Sequence, residues 1–161
     1  MKPKLRKLTL TAHVTFSVGW LGAVGAYMAP ATAGLMSDDL QAARAAYFAM
    51  DLIARFVIVP CGLAALLTGV IQSLATEWGL FRHYWVLVKF VLTIAAVVVL
   101  VLHMPTVGRV TELTLSGADF GTLRIQLLVH AAGGLLVLLT ATVLSIYKPW
   151  GRIRWRTAQG A

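Results

Sequence analysis

Apolar residues run through this chain in four long blocks, at about residues 8–28, 52–75, 85–104 and 123–147, with short polar stretches between them. Each block has room for the roughly 20 residues that carry a helix across the hydrocarbon layer, so the pattern predicts four transmembrane helices. The opening MKPKLRK and the later Ala31-Thr32-Ala33 imitate a secretion signal. The first block nevertheless exceeds the roughly 7–15 residues of a signal-peptide apolar region, and a retained span is expected. Residues 37–49 open with Ser37-Asp38-Asp39 and read as a capped, partly polar helix leading into the second span. Pro105 is expected to break the third helix and begin an outer loop reaching residue 122. Gly19, Gly22 and Gly25 are expected to let a neighbouring helix approach the first span closely.

Composition agrees with that pattern. Of 161 residues, 59% are hydrophobic and 12% charged, against about 25% charged in an ordinary soluble domain. A water-exposed single core and a disordered chain are both excluded. The formal charge of +8 does not point to nucleic acid, because the basic residues gather near the two ends. Lys2, Lys4, Arg6, Lys7, Arg82, Lys148, Arg152, Arg154 and Arg156 fall on one side of the four spans, and Arg44, Arg109 and Arg124 on the other. Lys and Arg resist translocation, so both termini should face the cytoplasm. Tyr84, Trp85, Tyr147, Trp150 and Trp155 fall where amphipathic rings favour the inner interface. The fold class is therefore all-α: residues 1–161 form a single transmembrane domain, a four-helix bundle expected in a bacterial plasma membrane. The lone Cys61 permits no internal disulfide.

Ionisable groups in hydrocarbon cost several kcal/mol each, so those inside the spans carry a functional reading. Counting at about 1.5 Å per residue sorts them into two layers roughly 15 to 20 Å apart. His13 and Lys89 lie toward the cytoplasmic side. His103 and His130 lie toward the outer side, with Asp51 and Arg55 at similar height. In the outer layer, His103 and His130 can ligate one haem iron from opposite faces, with Gly133 and Gly134 leaving space for a flat macrocycle and Arg55 serving a propionate. The plainer reading has His130 bonded to a backbone carbonyl and Arg55 paired with Asp51 at i, i+4. In the inner layer, Lys89 either snorkels to the surface or faces His13 as a base, proton carrier or anion anchor. His83 reads as solvated. Met104 beside His103, with Met36, Met50 and Cys61, gives a weaker copper reading. Nucleophilic triads and phosphate-cradling loops are absent from the sequence.

Several of these residues recur in a known order. His13 is followed seven residues later by Trp20 and then Gly22; Arg55 precedes Pro60 by five and Gly69 follows it by nine; Trp85 and Val88-Lys89 open the third span; Lys148-Pro149-Trp150 follows the fourth. The order resembles that of the small four-helix HemJ-type protoporphyrinogen oxidases, with wider kinship to CopD-type copper-resistance membrane proteins. Leu87 stands where the family has a His, His103 falls one turn beyond the family's later His near Leu100, and His130 matches no family position. The resemblance implies a haem b or porphyrin site in the bundle, with His13 and Lys89 at the family's characteristic His and Lys, and oxidation of a porphyrinogen as the associated chemistry. The expected site is thus His13 and Lys89 for catalysis, His13, Arg55, His103 and His130 for haem, and His13, His103 and His130 as iron ligands. Expected partners are the lipid bilayer, a porphyrin or haem, and a redox partner or a second copy of the chain. The alternative is a non-catalytic transport or assembly subunit, copper-related or otherwise, whose polar residues hold helices together.

Overall fold

The computed structural model describes residues 2–75, 83–116 and 121–149. Arg82, Asp119, Trp150, Arg152, Arg154, Trp155 and Arg156, some of which enter the orientation and interface expectations, lie outside the described residues. The described chain forms helices α1 (Pro3–Met36), α2 (Leu40–Ile53), α3 (Val59–Ala75), α4 (Tyr84–Ser116) and α5 (Gly121–Tyr147). A π-helical turn, Ala54–Ile58, joins α2 and α3 into one rod. Four rods result, each long and apolar enough to cross a membrane.

Neighbours in sequence pack side by side: α1 against α2 and α3, α3 against α4, α4 against α5, and α5 back upon α1. That closes an up-down-up-down ring. Large apolar side chains such as Phe56, Leu67, Leu102, Leu136 and Ile146 remain on its outside. An apolar surface this extensive suits lipid rather than water.

The helix starting at residue 40 begins as its sequence predicts. Asp39 accepts a bond from the Gln41 N–H at 2.9 Å, and Ser37 braces the Asp39 backbone from the preceding turn. This satisfies one of the orphan donors of a helix start. The second rod, expected over 52–75, therefore begins at Leu40.

The helix break expected at Pro105 does not occur: α4 continues through it to Ser116, and α1 likewise passes through Pro30 to Met36. A helical proline forfeits one backbone bond and strains the preceding turn by about 3 kcal/mol. Here Val107 and Val110 beyond Pro105 are buried in the same core as Ala43, Tyr47 and Met50 of α2. Two buried valines contribute roughly 1.5 kcal/mol or more each, enough to offset the proline. At about 1.5 Å per residue, the 34-residue α1 is about 51 Å long, well beyond the roughly 30 Å of hydrocarbon. Its far end, the far end of α4 and α2 thus pack together as one end of the bundle's single main core. Gly34 is required there: a Cβ would stand 2.8 Å from the Tyr47 ring.

Pro60 does leave a mark. A regular α-helix would drive its ring into the carbonyl of Phe56. The wider π turn just ahead of it, closed by Val59 N–H to the Ala54 carbonyl, relieves that clash. At the other end of the bundle, α5 stops at Lys148, which adopts φ 45° and returns its N–H to Leu144 at 3.1 Å before Pro149. The Lys-Pro pair of the terminal motif is a helix stop.

Candidate functional site

α1 and α3 run antiparallel, and two glycines of α3 accept two rings of α1. A Cβ on Gly62 would lie 3.0 Å from the Trp20 ring, and one on Gly69 would lie 3.0 Å from His13 Cε1. Both pairs are spaced by seven residues, so large meets small twice along one seam. Gly19 faces Cys61 across the same contact, whereas Gly22 and Gly25 meet open space. The close approach expected of all three span-one glycines therefore holds only at Gly19.

Seated over Gly69, His13 Nδ1 lies 3.1 Å from the Ala65 carbonyl and 3.2 Å from Thr68 Oγ1. A carbonyl oxygen only accepts, so the proton sits on Nδ1 and Nε2 carries the lone pair. One turn away, Thr9 donates to Gln72 across the same seam at 3.0 Å. His13 lines a cavity of about 490 Å³ with Trp20, Trp85, Lys89, Phe90 and Ser145. Lys89 is half-buried, donates to Ser145 Oγ at 3.1 Å, and holds its ammonium 5.9 Å from the Trp85 ring centroid. His13 and Lys89, expected to face each other, do line one chamber.

A second cavity, about 360 Å³, lies between α1, α4, α5 and the start of the π turn, and is almost wholly apolar in its walls. His103 and His130 line it together with Met104, Gly133 and Gly134. No atom approaches within 4 Å of a Cβ built on either of those glycines, leaving the space expected of them. The two imidazoles stack, with ring centroids 4.0 Å apart and planes at 23°. His130 Nδ1 donates to the Gln126 carbonyl at 2.7 Å, which again leaves Nε2 as the lone-pair nitrogen. His103 Nε2 is buried and has no hydrogen-bond partner, a state that costs about 1–3 kcal/mol unless a ligand repays it.

Trp20 and Leu138 line both cavities and form the partition between them. Lys89 and His103 are 14 residues apart on α4, about 21 Å along the axis. The two polar layers are therefore two chambers, and His13 does not join His103 and His130 around one centre. Arg55 is not in the lining of either. It pairs with Asp51 at 2.7 Å and lies against Gly108, where a Cβ would come 3.1 Å from its guanidinium. His83, read from sequence as solvated, is 8% exposed, and its ring lies 6.3 Å from that of Trp85. Among the described residues no three His, Cys, Asp or Glu side chains gather as a metal-binding group.

A haem makes specific demands on the residues of the second cavity. A ligating histidine ordinarily gives its other ring N–H to a carbonyl or carboxylate, which fixes the ring and raises its basicity; His130 has that arrangement. An iron held between two imidazoles needs their centroids roughly 6 Å apart, from metal–nitrogen bonds of about 2.0 Å on each side. The observed stack is closer. His130 alone has the orientation of a haem ligand, the lining offers no Lys or Arg to a propionate, and the two rings do not bracket an iron between them as the sequence suggested.

Sequence reasoning missed Trp20 as a partition, Ser145 as the partner of Lys89 and the Gly62–Gly69 seam. The seven-residue spacings of His13 with Trp20 and of Gly62 with Gly69 were the available signal. Comparison with family models, characterised proteins and solved structures finds no match.

Proposed function

We propose that this protein is a membrane haem or porphyrin protein, a haem b carrier in a bacterial plasma membrane with both termini in the cytoplasm. The observation that carries the reading is the pair of stacked imidazoles in an apolar chamber, one set by a backbone carbonyl to present Nε2 and the other buried with an unsatisfied nitrogen. His130 would hold the iron, His103 would stack behind it, and the Gly133–Gly134 face would admit the ring. Haem there would supply one-electron transfer. The wall of Trp20 and Leu138 keeps that chamber apart from His13 and Lys89. Under the resemblance to HemJ-type oxidases, His13 and Lys89 would handle the protons of a porphyrinogen. Titrating haem into the detergent-purified, haem-free chain tests the binding: saturation near one haem per chain supports it, and a featureless linear rise opposes it.

A second reading makes the polar groups helix glue in a transport or assembly subunit. The cross-helix bonds Thr9–Gln72 and His13–Ala65 favour it. In that case haem titration shows no saturation, while replacing His13 by Ala lowers bundle stability.

A further inference from the structure

We infer that the chamber around Lys89 binds a lipid-soluble quinone or its hydroquinone. Thr93, Thr142 and Ser145 each donate their hydroxyl to a carbonyl of their own helix, at 2.8, 2.9 and 2.8 Å. They are acceptors toward anything inside. Lys89 is the one cation among the residues lining the chamber, and it spends one N–H on Ser145. Its other N–H groups remain for a guest. His13, with its proton fixed on Nδ1 by Ala65, offers a lone pair at Nε2.

The chamber thus supplies a cationic donor at Lys89, an acceptor at His13 Nε2, and further polar side chains in Ser17 and Gln72, whose Oε1 accepts from Thr9. A phosphate asks for more positive charge than the one ammonium of this lining supplies. A ring with oxygens at opposite edges fits these groups: one oxygen accepts from Lys89, and the other donates to His13 as the hydroxyl of the hydroquinone or, in the quinone, accepts from the Ser17 hydroxyl or the Gln72 amide. The walls suit a flat ring, since Trp20, Trp85 and Phe90 all face the chamber, and aromatic faces favour offset or edge contacts with it. The volume of about 490 Å³ lies within the roughly 300–1,000 Å³ of small-molecule sites. The inference concerns binding alone and does not depend on haem in the other chamber.

The test is quenching of intrinsic tryptophan fluorescence in the detergent-purified full chain by a benzoquinone bearing a ten-carbon tail. Quenching should saturate. Lys89→Met should weaken it at least tenfold, Lys89→Arg should stay within about fivefold of the parent, and Gly25→Ala, outside the chamber lining, should leave it unchanged. Quenching that rises linearly, or that is equal in Lys89→Met, overturns the inference. Should Lys89→Met fail to fold, competition in the unaltered chain decides: dodecanoate and dodecyl phosphate should fail to displace the quinone. Displacement by either at equal concentration makes the chamber an anion site and contradicts the assignment.

Discussion

The imidazole of His103 lies face to face with that of His130, centroids 4.0 Å apart, across the contact between α4 and α5. Neither ring is held by an acidic partner: His130 is tethered by its own helix through the Gln126 carbonyl, and His103 Nε2 is buried without a hydrogen bond. This arrangement leaves the buried His103 Nε2 unsatisfied, and a guest that engages it would relieve that cost.

The glycine seam makes a sharp contrast between positions of the same residue type. Gly69→Ala places a methyl carbon 3.0 Å from His13 Cε1, so the ring must move and its bond to Ala65 weakens. A loss of about 1–3 kcal/mol is expected from overpacking. Gly22→Ala and Gly25→Ala meet nothing within 4 Å and should stay within about 0.5 kcal/mol of the parent. Reversible unfolding in mixed micelles measures all three.

Lys89 should be a burden on the fold. An ammonium inside a bundle costs roughly 2.5–3.5 kcal/mol on insertion scales, and Ser145 and Trp85 are its observed partners. Lys89→Met is therefore expected to raise unfolding stability by about 1–3 kcal/mol. A purely structural lysine would give the opposite sign in the same unfolding measurement.

The Asp51–Arg55 pair calls for a double-mutant cycle. Asp51 is 18% exposed and Arg55 51%, at 2.7 Å, so the pair is partly screened. Asp51→Ala alone should cost about 1 kcal/mol or somewhat more by leaving the guanidinium alone at the mouth of the π turn. Adding Arg55→Met should recover part of that loss. Strict additivity of the two changes would show that the ion pair contributes nothing.

How much of this was legible in the sequence differs by level. Four rods were readable because each apolar block alone exceeds the bilayer thickness. Their ends were not, because Pro105 was judged by a local rule, while Val107 and Val110 packing against Met50 decide the outcome. Depth was readable too: counting residues placed His13 with Lys89 and His103 with His130, and each pair shares a chamber. Rotation about the helix axis was not, since neighbouring helices set it. That is why the sequence left Arg55 open between a propionate and Asp51, where the structure pairs it with Asp51 beside Gly108, and why Gly22 and Gly25 face open space while Gly62 and Gly69 form the seam.

The most direct measurement is the reduced-minus-oxidised absorption spectrum of the chain purified from haem-replete cells, taken beside His130→Ala and His13→Ala. The parent and His13→Ala should both show a Soret band that survives washing, and His130→Ala should lose it or show it strongly displaced. A parent without a Soret band, or one whose band is identical in His130→Ala, would contradict the assignment of a tetrapyrrole to the stacked histidines.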